Sequence, residues 1–165
     1  MNVFDIQLEQ IRISPGHNFR GHFGEAPGEH PALTVDHVSC IAGKGIEGDR
    51  YFDLMEDYKG QITFFDLAVT DRLSEKIGKT IDPSVVRRNV FLRGVDLNRL
   101  IGKVFEIQGV RFSGSEECKP CLWMDEAVEP GTEEFLEGQG GLRARILSSG
   151  TLHLGATTLK VEERL

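Results

Sequence analysis

Short alternating runs cut apart by glycine constrain this chain more than any other feature. Such runs are too brief for long helices and too irregular for a repeated βαβ unit. Val3, Ile6, Leu8, Ile11 and Ile13 are separated by polar residues, so residues 3–13 read as a strand or two. LTVDHVSCIAG (33–43), QITFFD (61–66) and VVRRNVFLRG (85–94) read as further strands. KVFEIQG and VRFSGSE pair about Gly109 as a hairpin, and LRARIL, TLHLG and TLKVEE give three closing strands. Helical spacing is confined to short pieces. Leu67, Val69, Leu73 and Ile77 follow Asp66, a capping residue, and precede Gly78, a stop. CLWMDEAV behind Pro120 and TEEFLEG read as two more short helices, and DLNRLIG as a helical turn or two. The pattern predicts a mainly β (α+β) domain, an antiparallel β-barrel with a few short helices.

The chain has 165 residues, which suits a single domain spanning 1–165. Nineteen Lys and Arg against 26 Asp and Glu give a net charge of −7, so no nucleic-acid partner is expected. A local basic pocket for a small anion is still compatible with that balance. No apolar run approaches membrane-spanning length, and the N-terminus has neither a basic start nor an apolar core, so no membrane association or secretory signal is expected. Three cysteines fit a reducing, cytoplasmic setting better than a disulfide framework.

Residues 14–31, SPGHNFRGHFGEAPGEHP, hold three Pro, four Gly and three His. That density of breakers predicts a long loop, and loops of this length are usually functional or disordered. Phe19 and Phe23 suggest anchorage. The unequal spacing of His17, His22 and His30 matches no standard metal pattern, so they read as surface or lid histidines.

Four constellations bear on chemistry. In Glu116-Glu117-Cys118-Lys119-Pro120-Cys121 a predicted strand meets a predicted helix, and a thiol at a helix start is favoured as thiolate. The C-x-x-C reads as buried core, a redox dithiol, half of a zinc site, or a thiolate ligand for another metal. His37-x-x-Cys40 would complete four zinc ligands, but residues three apart on a strand point to opposite faces, which demotes zinc. Arg87-Arg88-Asn89 puts a cation on either face of its strand, so an inward guanidinium needs a carboxylate or a phosphate partner. Gly45-Ile46-Glu47-Gly48-Asp49-Arg50 is a Gly-rich turn in which Arg50 could hold an anion and Asp49 orient it. Gly138-Gln139-Gly140-Gly141 reads as a helix stop and turn, or as an anion nest. His153, between Leu152 and Leu154, reads as the outward side of a strand.

Taken in order, GIEGDRYF, QITFFD, RRNVFLRGVDLNRLIGKVFEIQGVRF, CKPCLWMDEAV and GGLRARILSSGTLHLG resemble the MOSC domain, the C-terminal domain of molybdenum cofactor sulfurases, also found as small stand-alone bacterial proteins. The resemblance runs from about Val35 to Gly155. It implies a MOSC-type β-barrel that binds the molybdenum cofactor. The family's characteristic cysteine falls on Cys121, which would ligate molybdenum or carry a persulfide. Asp49 and Arg50 fall on a Gly-Asp-Arg motif, and Arg88 and Asn89 on an Arg-Asn motif, positions implied to contact the pterin and phosphate. The family often has His after Gly-Asp-Arg; here Tyr51 stands, so no histidine role carries over. The activity implied is an oxidoreductase reducing N-hydroxylated compounds, with electrons from a separate donor protein. The alternatives are a sulfur carrier loaded by a pyridoxal-phosphate-dependent desulfurase, or a non-catalytic cofactor carrier.

Overall fold

A computed structural model describes residues 2–15, 33–119 and 128–163. The strands are β1 (Asn2–Ile13), β2 (Leu33–Val35), β3 (His37–Ile41), β4 (Gly45–Ile46), β5 (Ile62–Asp66), β6 (Val90–Arg93), β7 (Val104–Ile107), β8 (Val110–Glu117), β9 (Leu142–Ile146), β10 (Gly150–His153) and β11 (Gly155–Val161). The helices are α1 (Leu67–Ile77) and α2 (Thr132–Leu136), with 3₁₀ turns at Pro83–Val86 and Leu97–Leu100.

Seven strands close a barrel in the order β11-β7-β8-β9-β5-β6-β1, sealed where β1 pairs with β11 from Asn2↔Val161 to Leu8↔Gly155. β2 extends β1 at its far end, and β10-β3-β4 form a separate small sheet. The barrel is mixed rather than wholly antiparallel, because β5 and β6 run parallel. The physical reason is α1: a helix inserted between neighbouring strands returns the chain in the same direction. Asp66 accepts a hydrogen bond from Ala68 N at 3.0 Å and starts that helix; Gly78, at φ +73°, ends it.

β5 and β6 are apolar on both faces, as a strand covered on both sides must be. Phe64, Val90 and Leu92 point into the barrel. Phe65 and Phe91 point outward into a second cluster with Leu67, Val69 and Leu136 under the helices. Inside, Phe64 meets Phe112 edge-on at 5.3 Å and Phe105 at 5.8 Å, arrangements the ring quadrupole favours.

Two expected strands are broken. The 33–43 run divides at Asp36 into β2 and β3, which belong to different sheets. The 85–94 run is a strand only from Val90; Pro83–Val86 is a 3₁₀ turn and Arg87 has φ +52°. Arg87, Arg88 and Asn89 therefore occupy a connection, and strand alternation does not govern where they point.

Candidate functional site

The loop after β4 brings Asp49 and Arg50 against the end of β1. Asp49 Oδ1 accepts from Ser14 N at 2.9 Å, Oδ2 accepts from Tyr51 N at 3.4 Å, and Arg50 N donates to Ser14 O at 2.7 Å. The Asp49 side chain is wholly enclosed and lies 3.4 Å from Arg50 Nη1. Arg50 Nη2 donates to Arg87 O at 3.2 Å, and the guanidinium lies over the Tyr51 ring at 4.6 Å. That carbonyl contact helps hold the left-handed backbone at Arg87, a conformation with a steric cost for a side-chain-bearing residue.

Arg87 Nη2 donates to Ser14 Oγ at 2.9 Å. Arg88 donates from Nε to Gly140 O at 3.0 Å and from Nη1 to Val86 O at 2.7 Å. Arg50, Arg87 and Arg88, with Lys119, Arg143, Tyr51, Tyr58 and Cys118, line one cleft of about 50 Å³. A cleft of that size admits a small anionic group. Among the described residues neither Arg87 nor Arg88 has a carboxylate within ion-pair distance; Asp49 pairs with Arg50, and its charge also reaches Arg87. Burial, and then repulsion from Arg50, pull Arg87 below the ordinary arginine range. Tyr58, stacked on Tyr51 at 5.6 Å, is pushed above its ordinary value, first by burial.

Larger grooves of about 520 and 620 Å³ share Arg93, but its charge is already matched by Asp71 and Glu9, each at 2.6 Å. The cleft instead gathers Arg50, Arg87, Arg88, Lys119 and Arg143, of which Arg50 pairs with Asp49 and Arg143 with Glu116.

The structure thus brings Asp49, Arg50 and Arg88 together. Asn89 is adjacent but plays a different part. Its Oδ1 accepts from Thr63 N and Thr63 Oγ1, and its Nδ2 donates to Arg12 O, so the buried amide ties β1 to β5 beneath the cleft. Cys121 lies outside the described residues, as do the expected helix behind Pro120 and His17, His22 and His30. Lys119, Arg143, Tyr51 and Tyr58 were not singled out as site residues from the sequence, since distant segments bring them together, and Arg87 was read only as the alternative to Arg88 for an inward cation. Lys119 beside Cys118, and Arg143 after the glycines, were the available signals. The Gly138–Gly141 turn presents carbonyls to the site instead of an anion nest of N–H groups: Gly140 O accepts from Arg88, and Gly141 O accepts from Cys118 N at 2.8 Å.

On β3, His37 is exposed and Cys40 buried, the opposed faces expected of a strand. Among the described residues no three His, Cys, Asp or Glu side chains converge on a metal position. Burial pushes the Cys40 thiol up to about 12. At pH 8 only about one Cys40 in ten thousand is then thiolate, the reactive form. Iodoacetamide should leave Cys40 unmodified in the native chain and alkylate it in urea, read by peptide mass. Rapid native labelling would contradict its burial.

A MOSC domain family model matches residues 22–163. The chain belongs to the MOSC domain family. Solved structures similar to this MOSC domain include the YuaD protein from Bacillus subtilis, with TM-score 0.79, 18% identity and 99% of each chain covered. YiiM from Geobacillus stearothermophilus gives TM-score 0.68 and 16% identity over 96% of this chain and 76% of that one. YiiM from Escherichia coli gives 0.65 and 12% over 100% and 72%. At these identities the likeness shows the fold. No curated protein matches the chain. MOSC membership associates it with molybdenum-cofactor binding or sulfurase-like function. Among the described residues no helix is long and apolar enough to cross a membrane.

Proposed function

We propose that this MOSC domain binds the molybdenum cofactor by its anionic end and reduces N-hydroxylated compounds. The observation that carries the reading is Arg87: half-buried, repelled by Arg50 and, among the described residues, with no carboxylate at ion-pair distance, the charge of Asp49 reaching it only partly and from beyond that distance. A desolvated guanidinium of this kind is stabilised by an incoming phosphate, which Arg grips through two parallel N–H bonds. The donor set therefore fits an anionic group such as the cofactor's phosphate.

Arg50, Arg87 and Arg88 would hold that anion, with Lys119 and Arg143 adding field. Asp49 keeps Arg50 in place, and Asn89 fixes the strands beneath. Cys121 supplies the soft thiolate for the metal; its tether from Cys118, in the cleft wall, is three residues, at most about 11 Å. Once bound, the group supplies two-electron redox chemistry, and the protein contributes position and electrostatics. Electrons come from a separate donor protein.

The test is molybdenum and pterin content after expression in a cofactor-competent host, followed by turnover of a hydroxylamine with an artificial reductant. Wild type should carry about one molybdenum, Cys118→Ser should keep it, and Cys121→Ser should lose it. Arg87→Met should lose at least tenfold in loading with a melting temperature within a few degrees of wild type, because relief of the repulsion from Arg50 offsets the lost bond to Ser14 Oγ. Molybdenum-free wild type that accepts a persulfide on Cys121 would replace this reading with the sulfur carrier. Loaded protein without turnover would leave the cofactor carrier.

A further inference from the structure

Away from the cleft, two histidines face each other across the small sheet. His37 opens β3, His153 closes β10, and the antiparallel register sets them directly opposite. Opposed residues hold their Cβ atoms about 4.5–5.5 Å apart. The rings lie stacked, centroids 6.0 Å apart and planes 27° from parallel, and both side chains are exposed. Asp36 Oδ1 lies 2.6 Å from His37 Nδ1. When His37 is neutral, that contact keeps its proton on Nδ1, donated to the carboxylate, and leaves the Nε2 lone pair free. The His153 backbone is pinned at both ends by Gln108, its N donating to Oε1 at 2.8 Å and its carbonyl accepting from Nε2 at 3.2 Å.

We propose that His37 and His153 form a two-imidazole chelate for a divalent transition-metal ion, with Asp36 orienting His37 from behind and water filling the remaining positions. Imidazole nitrogens suit copper, nickel and zinc. A carboxylate behind a ligating histidine is the usual support for its ring orientation. Two metal–nitrogen bonds of about 2.0–2.1 Å place ring centroids about 4.5 Å apart at the right angle that Cu²⁺ prefers and about 5 Å apart at a tetrahedral one. The stack at 6.0 Å shows that the two rings reach one another, and rotation about the side-chain torsions of these two exposed residues turns the ring edges from a stacked to a converging arrangement. One ladder fixes both backbones, so binding orders only the side-chain torsions of two residues. The site is independent of the cleft and of the proposed activity.

Cu²⁺ is the probe, since it heads the affinity order for such donors. Untagged protein is titrated by calorimetry, and the bound ion is read by electron paramagnetic resonance. Wild type should show one site with coupling to two imidazole nitrogens. His37→Ala and His153→Phe should each weaken it at least tenfold; the Phe ring keeps the stack but has no donor nitrogen, so an unchanged melting temperature separates ligation from structure. Asp36→Asn should weaken it about tenfold, at the low end of the effect of removing such a support. A variant with His17, His22 and His30 all changed to Ala should bind as wild type does. Unchanged binding in His37→Ala or His153→Phe, or its loss in the triple variant, overturns the proposal.

Discussion

Asp49→Ala is expected to destabilise the fold by about 3–5 kcal/mol, the usual cost of breaking a buried ion pair from one side. Two effects combine. Ser14 N loses its acceptor, and the neighbouring Arg50 and Arg87 lose the carboxylate that offsets their mutual repulsion. For a chain of this size the fall corresponds to about 6–20 °C in melting temperature. Asp49→Asn keeps an acceptor for Ser14 N but not the charge, so it should fall between wild type and Ala. Sulfate should restore part of the Ala deficit by occupying the cleft. A loss below about 1 kcal/mol for Asp49→Ala, seen in urea unfolding, would show that the guanidinium groups do not depend on this carboxylate.

Gly141→Ala is expected to cost about 2–6 kcal/mol, from a strained backbone and an overpacked contact of about 1–3 kcal/mol each. Gly141 has φ +107°, and a Cβ there would lie 2.5 Å from Phe64 O and 3.5 Å from Arg88 Nε. The carbonyls of Gly140 and Gly141 hold Arg88 and Cys118, so the strain is delivered to two walls of the cleft. The surviving folded protein should therefore also load less cofactor. Gly138→Ala is the control, since its φ is +83° but nothing lies within 4 Å of the added carbon. Equal losses in the two variants, measured by thermal unfolding, would show that the contact with Phe64 does not matter.

What could be read without coordinates was whatever local chemistry decides. Asp66 and Gly78 bracket α1 because a capping carboxylate and a left-handed glycine act within a few residues. The β7–β8 hairpin followed from Gln108-Gly109, where both residues take positive φ. The parallel β5–β6 pair was not legible, since it depends on α1 packing back against the barrel. Nor was the break before Val90: Val85 to Asn89 has the composition of a strand, and the left-handed Arg87 is held by partners 37 and 73 residues away in sequence. The same distance effect hid Tyr58 and Arg143 from the site. Asn89 was legible as a special position but not as a structural tie, because an amide's partners cannot be read from its neighbours in sequence. His153 was read as an outward strand residue, and it is exposed; its partner His37 emerged only with the register.

The seam between residues 2–8 and 155–161 has a bearing on synthesis. On the ribosome the first strand emerges long before its mate, so its edge, and later that of β7, stay open until nearly all of the described chain has been made. No partial barrel along the way is closed. Closure is thereby deferred until residues 155–161 have been made, and until then unpaired edges are exposed to other nascent chains.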